Sequence, residues 1–235
     1  DRHIPGFLKQ SNVEFVSVAN RTVESGQQVA DKFNIPNVAA DWMELLDDES
    51  IDAVCIGTWP YMHAALTIAA LEAGKHVLCE ARMAMNVDEA REMLLVSRLH
   101  PDLIAQIVPA PHTLSVDQTI VEMIGSGYIG DIISMDARVT PGANFPNYDS
   151  PLHWRMDRDM SGNNIMGMGI WYEAMMRWVG PAASVLATGQ SVVAHRVGAN
   201  GQRVSMTIPD HVDINGRLEQ GGQMRFCFSS VAGHA

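Results

Sequence analysis

Hydrophobic spacing changes several times along the chain, and each change marks an element. Val54–Ile56 is a short apolar, β-prone run that stops at Gly57-Thr58-Trp59-Pro60. An apolar stretch with helical spacing follows (Ala64, Ala65, Ile68, Ala69, Leu71) and ends at Ala73-Gly74. His76–Cys79 is a second apolar run, stopping at Glu80. Strand, helix and strand of these lengths make a βαβ unit, with a right-handed crossover and ligands at the carboxyl ends of the strands. Two loops, Thr58–His63 and Glu80–Met83, therefore converge on one crevice.

The flanking segments extend the alternation. Phe15–Ala19 is strand-like, and Thr22–Phe33 has helical spacing through Val23, Ala30 and Phe33. Asp41–Leu46 reads as a short amphipathic helix with Trp42 and Leu45 inward. In Asn86–His100, Asn86 with Glu89 three residues on forms a capping-box pattern, and Val87, Ala90, Met93 and Leu94 supply the inward stripe. Leu103–Val108 reads as a further buried strand. Such alternation predicts a parallel sheet covered on both faces.

The pattern changes at Pro109-Ala110-Pro111, where two prolines end the strand. Beyond it come a helix over Ser115–Ile124, a strand with period-2 character over Ile132–Val139, and a polar loop, Thr140–Gly162, holding Pro141, Pro146 and Pro151. A helix near Ile165–Val179 and strands at Val185–Thr188, Val212–Leu218 and Met224–Val231 follow, the last two joined through Gln220-Gly221-Gly222 as an antiparallel hairpin. The expected fold is α/β, a doubly wound parallel Rossmann-type sheet over residues 1–109. An α+β domain with an open, mainly antiparallel sheet follows over residues 110–235. A doubly wound domain whose first strand is Glu14–Ala19 would have an unpaired edge, so a leading strand, glycine loop and helix are expected ahead of Asp1, and further sheet after Ala235. Val212, Ile214, Leu218, Phe226 and Phe228 are expected on an open sheet face that a second copy covers, giving a homo-oligomer, a dimer or tetramer.

Composition narrows the function classes. The chain has 235 residues and a net charge of −11, which disfavours nucleic acid and anionic membranes as partners. No apolar run reaches the roughly 20 residues of a membrane span, and a cytoplasmic setting is expected. The three cysteines, Cys55, Cys79 and Cys227, lie in apolar runs without metal-ligand spacing, and are expected as small buried hydrophobes, with no metal site.

Gly125-Ser126-Gly127-Tyr128-Ile129-Gly130 fits G-x-G-x-x-G literally, but a helix precedes it and a strand follows. A phosphate loop needs the reverse order, so that helix amides meet the pyrophosphate. The segment is expected to be a helix C-cap and turn. Asn20-Arg21-Thr22 follows the strand ending at Ala19, where a Rossmann domain meets the adenosine ribose. An acid there suits the ribose hydroxyls of NAD, whereas arginine can clasp a 2′-phosphate, so NADP is favoured over NAD.

Residues 51–86 also resemble the Gfo/Idh/MocA family (glucose–fructose oxidoreductase, inositol dehydrogenase and relatives). Its members carry a T-P-x-x-x-H loop and then A-G-K-H-V-x-x-E-K-P at these places. Ala73–Cys79 matches the second motif, but Glu80-Ala81-Arg82 stands where the family has Glu-Lys-Pro. With no proline at that point, no cis peptide bond is expected. The resemblance implies an NAD(P)-dependent oxidoreductase acting on a small sugar-like or polyhydroxylated substrate. It implies cofactor contacts from Asn20, Arg21, Thr58, Trp59, Pro60, His63, Glu80 and Ala81.

In the family, the motif lysine handles a proton together with an aspartate and a histidine from a later G-G-G-x-x-x-D-x-G-x-H helix. Here Ser161-Gly162-Asn163-Asn164 begins that segment, and anchoring on Gly169 puts Gly167 and Trp171 at the acid and histidine positions. None of Ala81, Gly167 and Trp171 can do acid–base work. The replacement candidates are Arg82, which follows Ala81, His153 in the proline-rich loop, and Tyr172 and Glu173 beside Trp171. Two rival readings are a pseudoenzyme that binds a dinucleotide or sugar without hydride transfer, and the cofactor-assisted non-redox sugar chemistry also known in the family.

Overall fold

The computed structural model of the protein describes residues 3–109, 114–140, 148–165 and 167–232. Ala110 and Pro111 of the proline crossing, and Pro141 and Pro146 of the long loop, lie outside them, as do Asp1 and Ala235. The chain divides into two compact units, Asp1–Val108 and Pro109–Ala235.

The first unit runs α1 (His3–Phe7), β1 (Ser17–Ala19), α2 (Val23–Phe33), β2 (Asn37–Ala39), α3 (Met43–Asp47), β3 (Ala53–Ile56), α4 (His63–Glu72), β4 (His76–Cys79), α5 (Val87–Leu99) and β5 (Ala105–Ile107). Strands β3-β4-β5 form one parallel sheet and β1-β2 another. Helix α2 begins where Thr22 accepts the Ser25 N–H in a capping box and ends at Asn34 in the left-handed conformation. Gly26 lets this helix sit close on β2, since a Cβ there would come within 2.8 Å of Val38. Helix α4 is apolar around most of its circumference and buries Leu66, Ala70 and Leu71 against Ile56, Val77, Cys79 and Val96. A leucine as fully buried as Leu71 contributes about 1.5–3 kcal/mol.

Three details differ from the sequence expectation. Among the described residues strand β5 pairs only with β4, which makes it an edge there, and Ala105 and Gln106 are exposed. On α5 the inward residues are Met93 and Val96, whereas Val87 and Leu94 face solvent. Cys79 is buried as expected, but Cys55 is exposed.

The second unit holds α6 (Asp117–Gly125), β6 (Ser134–Val139), α7 (Arg158–Ser161), α8 (Met168–Val179), β7 (Ala182–Gln190), β8 (His195–Val197), β9 (Arg203–Ser205), β10 (His211–Leu218) and β11 (Gln223–Ser229). Its main sheet has the order β6-β11-β10-β7, antiparallel except for the parallel β6–β11 pair. The glycine-rich segment after α6 is a helix end and turn, with Gly127 and Gly130 at φ 75° and 69°. Gly222 closes the β10–β11 hairpin at φ 87°, and a Cβ there would come within 2.4 Å of the Ile132 carbonyl oxygen.

The face expected to be open is closed. Val212, Leu218, Met224, Phe226 and Phe228 are all buried, and Ile214 packs with them against Met175 and Val179 of α8. The period-2 pattern identified the apolar face correctly, but its cover comes from the same unit, not from a second copy. The opposite face carries Asp213, Asn215, Arg217, Arg225 and Cys227. Helix α6 is tied to α8 through Asp117, whose carboxylate accepts from Trp178 Nε1 at 2.6 Å and from the Leu114 N–H at 2.9 Å, with Arg177 3.7 Å away.

Phe226→Ala is expected to destabilise the protein by about 3–5 kcal/mol, while Leu186→Ala on exposed β7 changes stability by no more than about 0.5 kcal/mol. Urea denaturation checks both, and a large effect at Leu186 would contradict the packing. The Leu114 N–H, then the Trp178 N–H and the Arg177 charge, hold the Asp117 carboxyl below its ordinary range. A depressed carboxyl stabilises fully above its unfolded pKa of roughly 3.9 and loses that contribution as pH falls through its lower folded value. Asp117→Asn is therefore expected to flatten the acid limb of the stability–pH curve below about pH 4.

Candidate active site

Three loops leave the carboxyl ends of parallel strands in the first unit. After β1, Asn20 Oδ1 accepts the Arg21 N–H at 3.0 Å, and Thr22 opens α2. After β3, Gly57-Thr58-Trp59 leads to buried Pro60, which starts the single 3₁₀ turn Pro60–Met62 ahead of α4. After β4, the Glu80 N–H donates to the Ile56 carbonyl at 3.0 Å and extends the β3–β4 pairing by one step.

Side chains join these loops. The Arg21 guanidinium lies over the Trp59 ring at 4.7 Å, linking the first loop to the second. His63 links the second to the third. Its ring is fully buried, with Nδ1 2.6 Å from the Arg82 carbonyl oxygen and Nε2 3.0 Å from the Thr58 carbonyl oxygen. Both ring nitrogens face backbone carbonyls, and a neutral ring donates to one of them, so the side chain ties the two loops together. The Glu80 carboxylate meets His3 Nε2 at 2.5 Å and the Ala81 N–H at 3.1 Å. The Ala81–Arg82 peptide is cis, contrary to the expectation drawn from the missing proline. Arg82 is half-buried. Burial pushes the Cys79 thiol up to about 11, so it is no nucleophile at neutral pH.

The remaining candidates lie in the second unit. His153 is exposed, and its Nδ1 accepts the Arg155 N–H at 3.3 Å, capping the turn Trp154–Met156. Accepting at Nδ1 puts the ring proton of a neutral imidazole on Nε2. The Tyr172 hydroxyl accepts the Ala182 N–H at 3.2 Å, and its ring meets Phe226 edge-on at 6.4 Å. The ring thus packs in the core while the hydroxyl is engaged with backbone. Glu173 pairs with Arg177 at 3.4 Å along the exposed side of α8. Trp171 packs with Phe226 and Phe228, and Gly167 is the left-handed N-cap of α8. Neither offers a proton-carrying group.

Residue-by-residue reading overlooked Asn164. It is 3% exposed, and among the described residues neither its amide oxygen nor its amide nitrogen has a hydrogen-bond partner. It lines a small cavity with Met156, Val193, Arg196, Asp210 and Phe228. In the family pattern anchored on Gly169, Asn164 falls on a free position, so the motif carried no signal for it.

Residues 1–104 match the model of an oxidoreductase family with an NAD-binding Rossmann fold, and residues 118–235 match the GFO/IDH/MocA C-terminal domain. The chain is 30% identical to 1,5-anhydro-D-fructose reductase of Ensifer adhaerens over 68% of its own length and 47% of that protein. It is also 30% identical to levoglucosan dehydrogenase of Pseudarthrobacter phenanthrenivorans, over 64% of its length and 38% of that enzyme. The chain thus spans about half the length, or less, of these curated relatives. Its fold superimposes on an oxidoreductase domain protein from Kribbella flavida with a TM-score of 0.78 at 24% identity, covering 99% of this chain and 63% of that one. Two consecutive family models, together spanning nearly every residue, make this chain a member of the GFO/IDH/MocA oxidoreductase family.

Proposed function

We propose that the protein is an NAD(P)-dependent oxidoreductase acting by hydride transfer on a small sugar-like or polyhydroxylated substrate. The observation that carries this reading is the joining of three strand-end loops, Asn20–Thr22, Thr58–His63 and Glu80–Arg82, by the Arg21–Trp59 stack and the His63 bridge. Ligands of open α/β sheets bind at such carboxyl ends. The relatives named as an anhydrofructose reductase and a levoglucosan dehydrogenase support the substrate class.

The residues present fit a nicotinamide dinucleotide. Arg21 offers a guanidinium already oriented by Trp59, suited to a 2′-phosphate, and NADP is favoured over NAD for that reason. The β1 and β3 edges are not hydrogen-bonded to each other, and a strand between them, carrying the glycine loop, would complete the doubly wound order. Bound nicotinamide supplies the hydride donor or acceptor. Arg82 holds or stabilises an anionic oxygen, since a guanidinium keeps its proton at neutral pH. His153 is the group left to move a proton, because Tyr172 and Glu173 are engaged in the fold. The pseudoenzyme is the second reading, favoured by Ala81, Gly167 and Trp171 at the three family positions that handle protons.

Full-length protein is expected to bind NADPH more tightly than NADH, and Arg21→Ala to weaken NADPH binding about tenfold or more while barely changing NADH. Fluorescence titration measures both, and equal affinities that Arg21→Ala leaves unmoved would remove the NADP assignment. Arg82→Ala is expected to lower turnover roughly 100-fold or more, the scale for losing one oriented electrostatic contact. Steady-state rates with polyol substrates decide it. Normal turnover in that variant refutes the role of Arg82, whereas tight cofactor binding with no turnover by unaltered protein favours the pseudoenzyme.

A further inference from the structure

We infer that the outer face of the second-unit sheet carries a binding site for a borderline divalent cation of the zinc type, formed by His211, Asp213 and Cys227. Asp213 and Cys227 are direct cross-strand partners in the β10–β11 register, and His211 lies two residues before Asp213. In a pleated sheet those positions share one face, here the face away from Phe226 and Phe228. His211 Nε2 lies 3.2 Å from Asp213 Oδ2, and Cys227 sits directly opposite Asp213 on the neighbouring strand. All three candidate ligand atoms fall within 4.8 Å of one another.

A tetrahedral ion with bonds of about 2.0–2.3 Å to nitrogen, oxygen and sulfur needs ligand atoms roughly 3.3–3.7 Å apart. The His–Asp pair already meets that spacing. The remaining approach is about an ångström of side-chain rotation on a hydrogen-bonded sheet, with no backbone movement required. One imidazole, one thiolate and one carboxylate suit zinc or cobalt, whereas calcium and magnesium seek all-oxygen sets. Carboxylate and thiolate together balance a double positive charge. Arg138 is the β6 register partner of Cys227, and Arg225 lies on β11, 4.0 Å from Asp136. Burial and the neighbouring Asp213 carboxylate nonetheless raise the Cys227 thiol above its ordinary range, so a bound ion would displace the thiol proton. The His211 and Asp213 side chains are 33% and 45% exposed, so an ion can enter from solvent and a water can take the fourth position. The linear sequence conceals this cluster, because its members are separated by the hairpin and only the register unites them.

The test is a zinc titration of chelator-treated protein by calorimetry, with cobalt as a spectroscopic substitute. The expected result is one ion per chain and a thiolate-to-cobalt charge-transfer band in the near ultraviolet. Cys227→Ser should abolish the band, and Asp213→Asn should weaken zinc by at least about tenfold, the lower figure for losing even an outer partner of a ligand. Cys55→Ser, the control for the exposed thiol, should leave both unchanged. Circular dichroism confirms that each variant is folded, and the Asp213 variant decides if the Cys227 variant is not. No zinc uptake, or a band lost with Cys55 and retained without Cys227, overturns the site.

Discussion

A buried imidazole holds the candidate crevice together. Parallel strands end in loops that have no covalent or ladder connection to each other, and each would otherwise adopt its own conformation. His63, at the first position of α4, reaches the Thr58 carbonyl behind it and the Arg82 carbonyl of the loop after β4. A neutral ring donates to one of these carbonyls and packs its other nitrogen against the second, so a single buried side chain fixes the spacing of both loops. The apolar character of α4 follows from the same place in the fold, because the helix packs under the loops against Ile56, Val77 and Val96. Arg21 then joins the third loop by stacking on Trp59, whose neighbour Pro60 begins the turn into His63.

Much of this was legible in the sequence where length and spacing left one choice. The βαβ unit around α4, the Asn86 cap, the β10–β11 hairpin and the rejection of the glycine-rich segment after α6 all follow from local chemistry. Three of the three-residue strands did not. β2, β8 and β9 are too short to show a period, and each exists because a partner strand supplies its hydrogen bonds. Periodicity also finds an apolar face without saying what covers it. Phe226 and Phe228 pointed to a subunit interface until α8 was seen to lie on them. The phase of α5 failed for a similar reason, since Val87 and Leu94 are as apolar as Met93 and Val96 but turn outward.

The candidate chemistry was less legible, because residue type does not reveal which atoms are already engaged. His63 and Tyr172 looked like reactive groups, and both spend their polar atoms on backbone. The membership of the chain in its family makes the replacements at Ala81, Gly167 and Trp171 more informative. Trp171 contributes to a well-packed core with Phe226 and Phe228 and leaves no proton-carrying group at its position. In the alignment anchored on Gly169, a packing residue and a helix N-cap stand at the positions expected for acid–base groups.

The central claim is that the three tethered loops of the first unit form the dinucleotide crevice. Hydrogen exchange of full-length protein with and without NADPH tests it most directly. The account predicts slowed exchange confined in this unit to the backbone around Asn20–Thr22, Thr58–His63 and Glu80–Met83. Protection that bypasses these loops, or no protection at saturating cofactor, would contradict it.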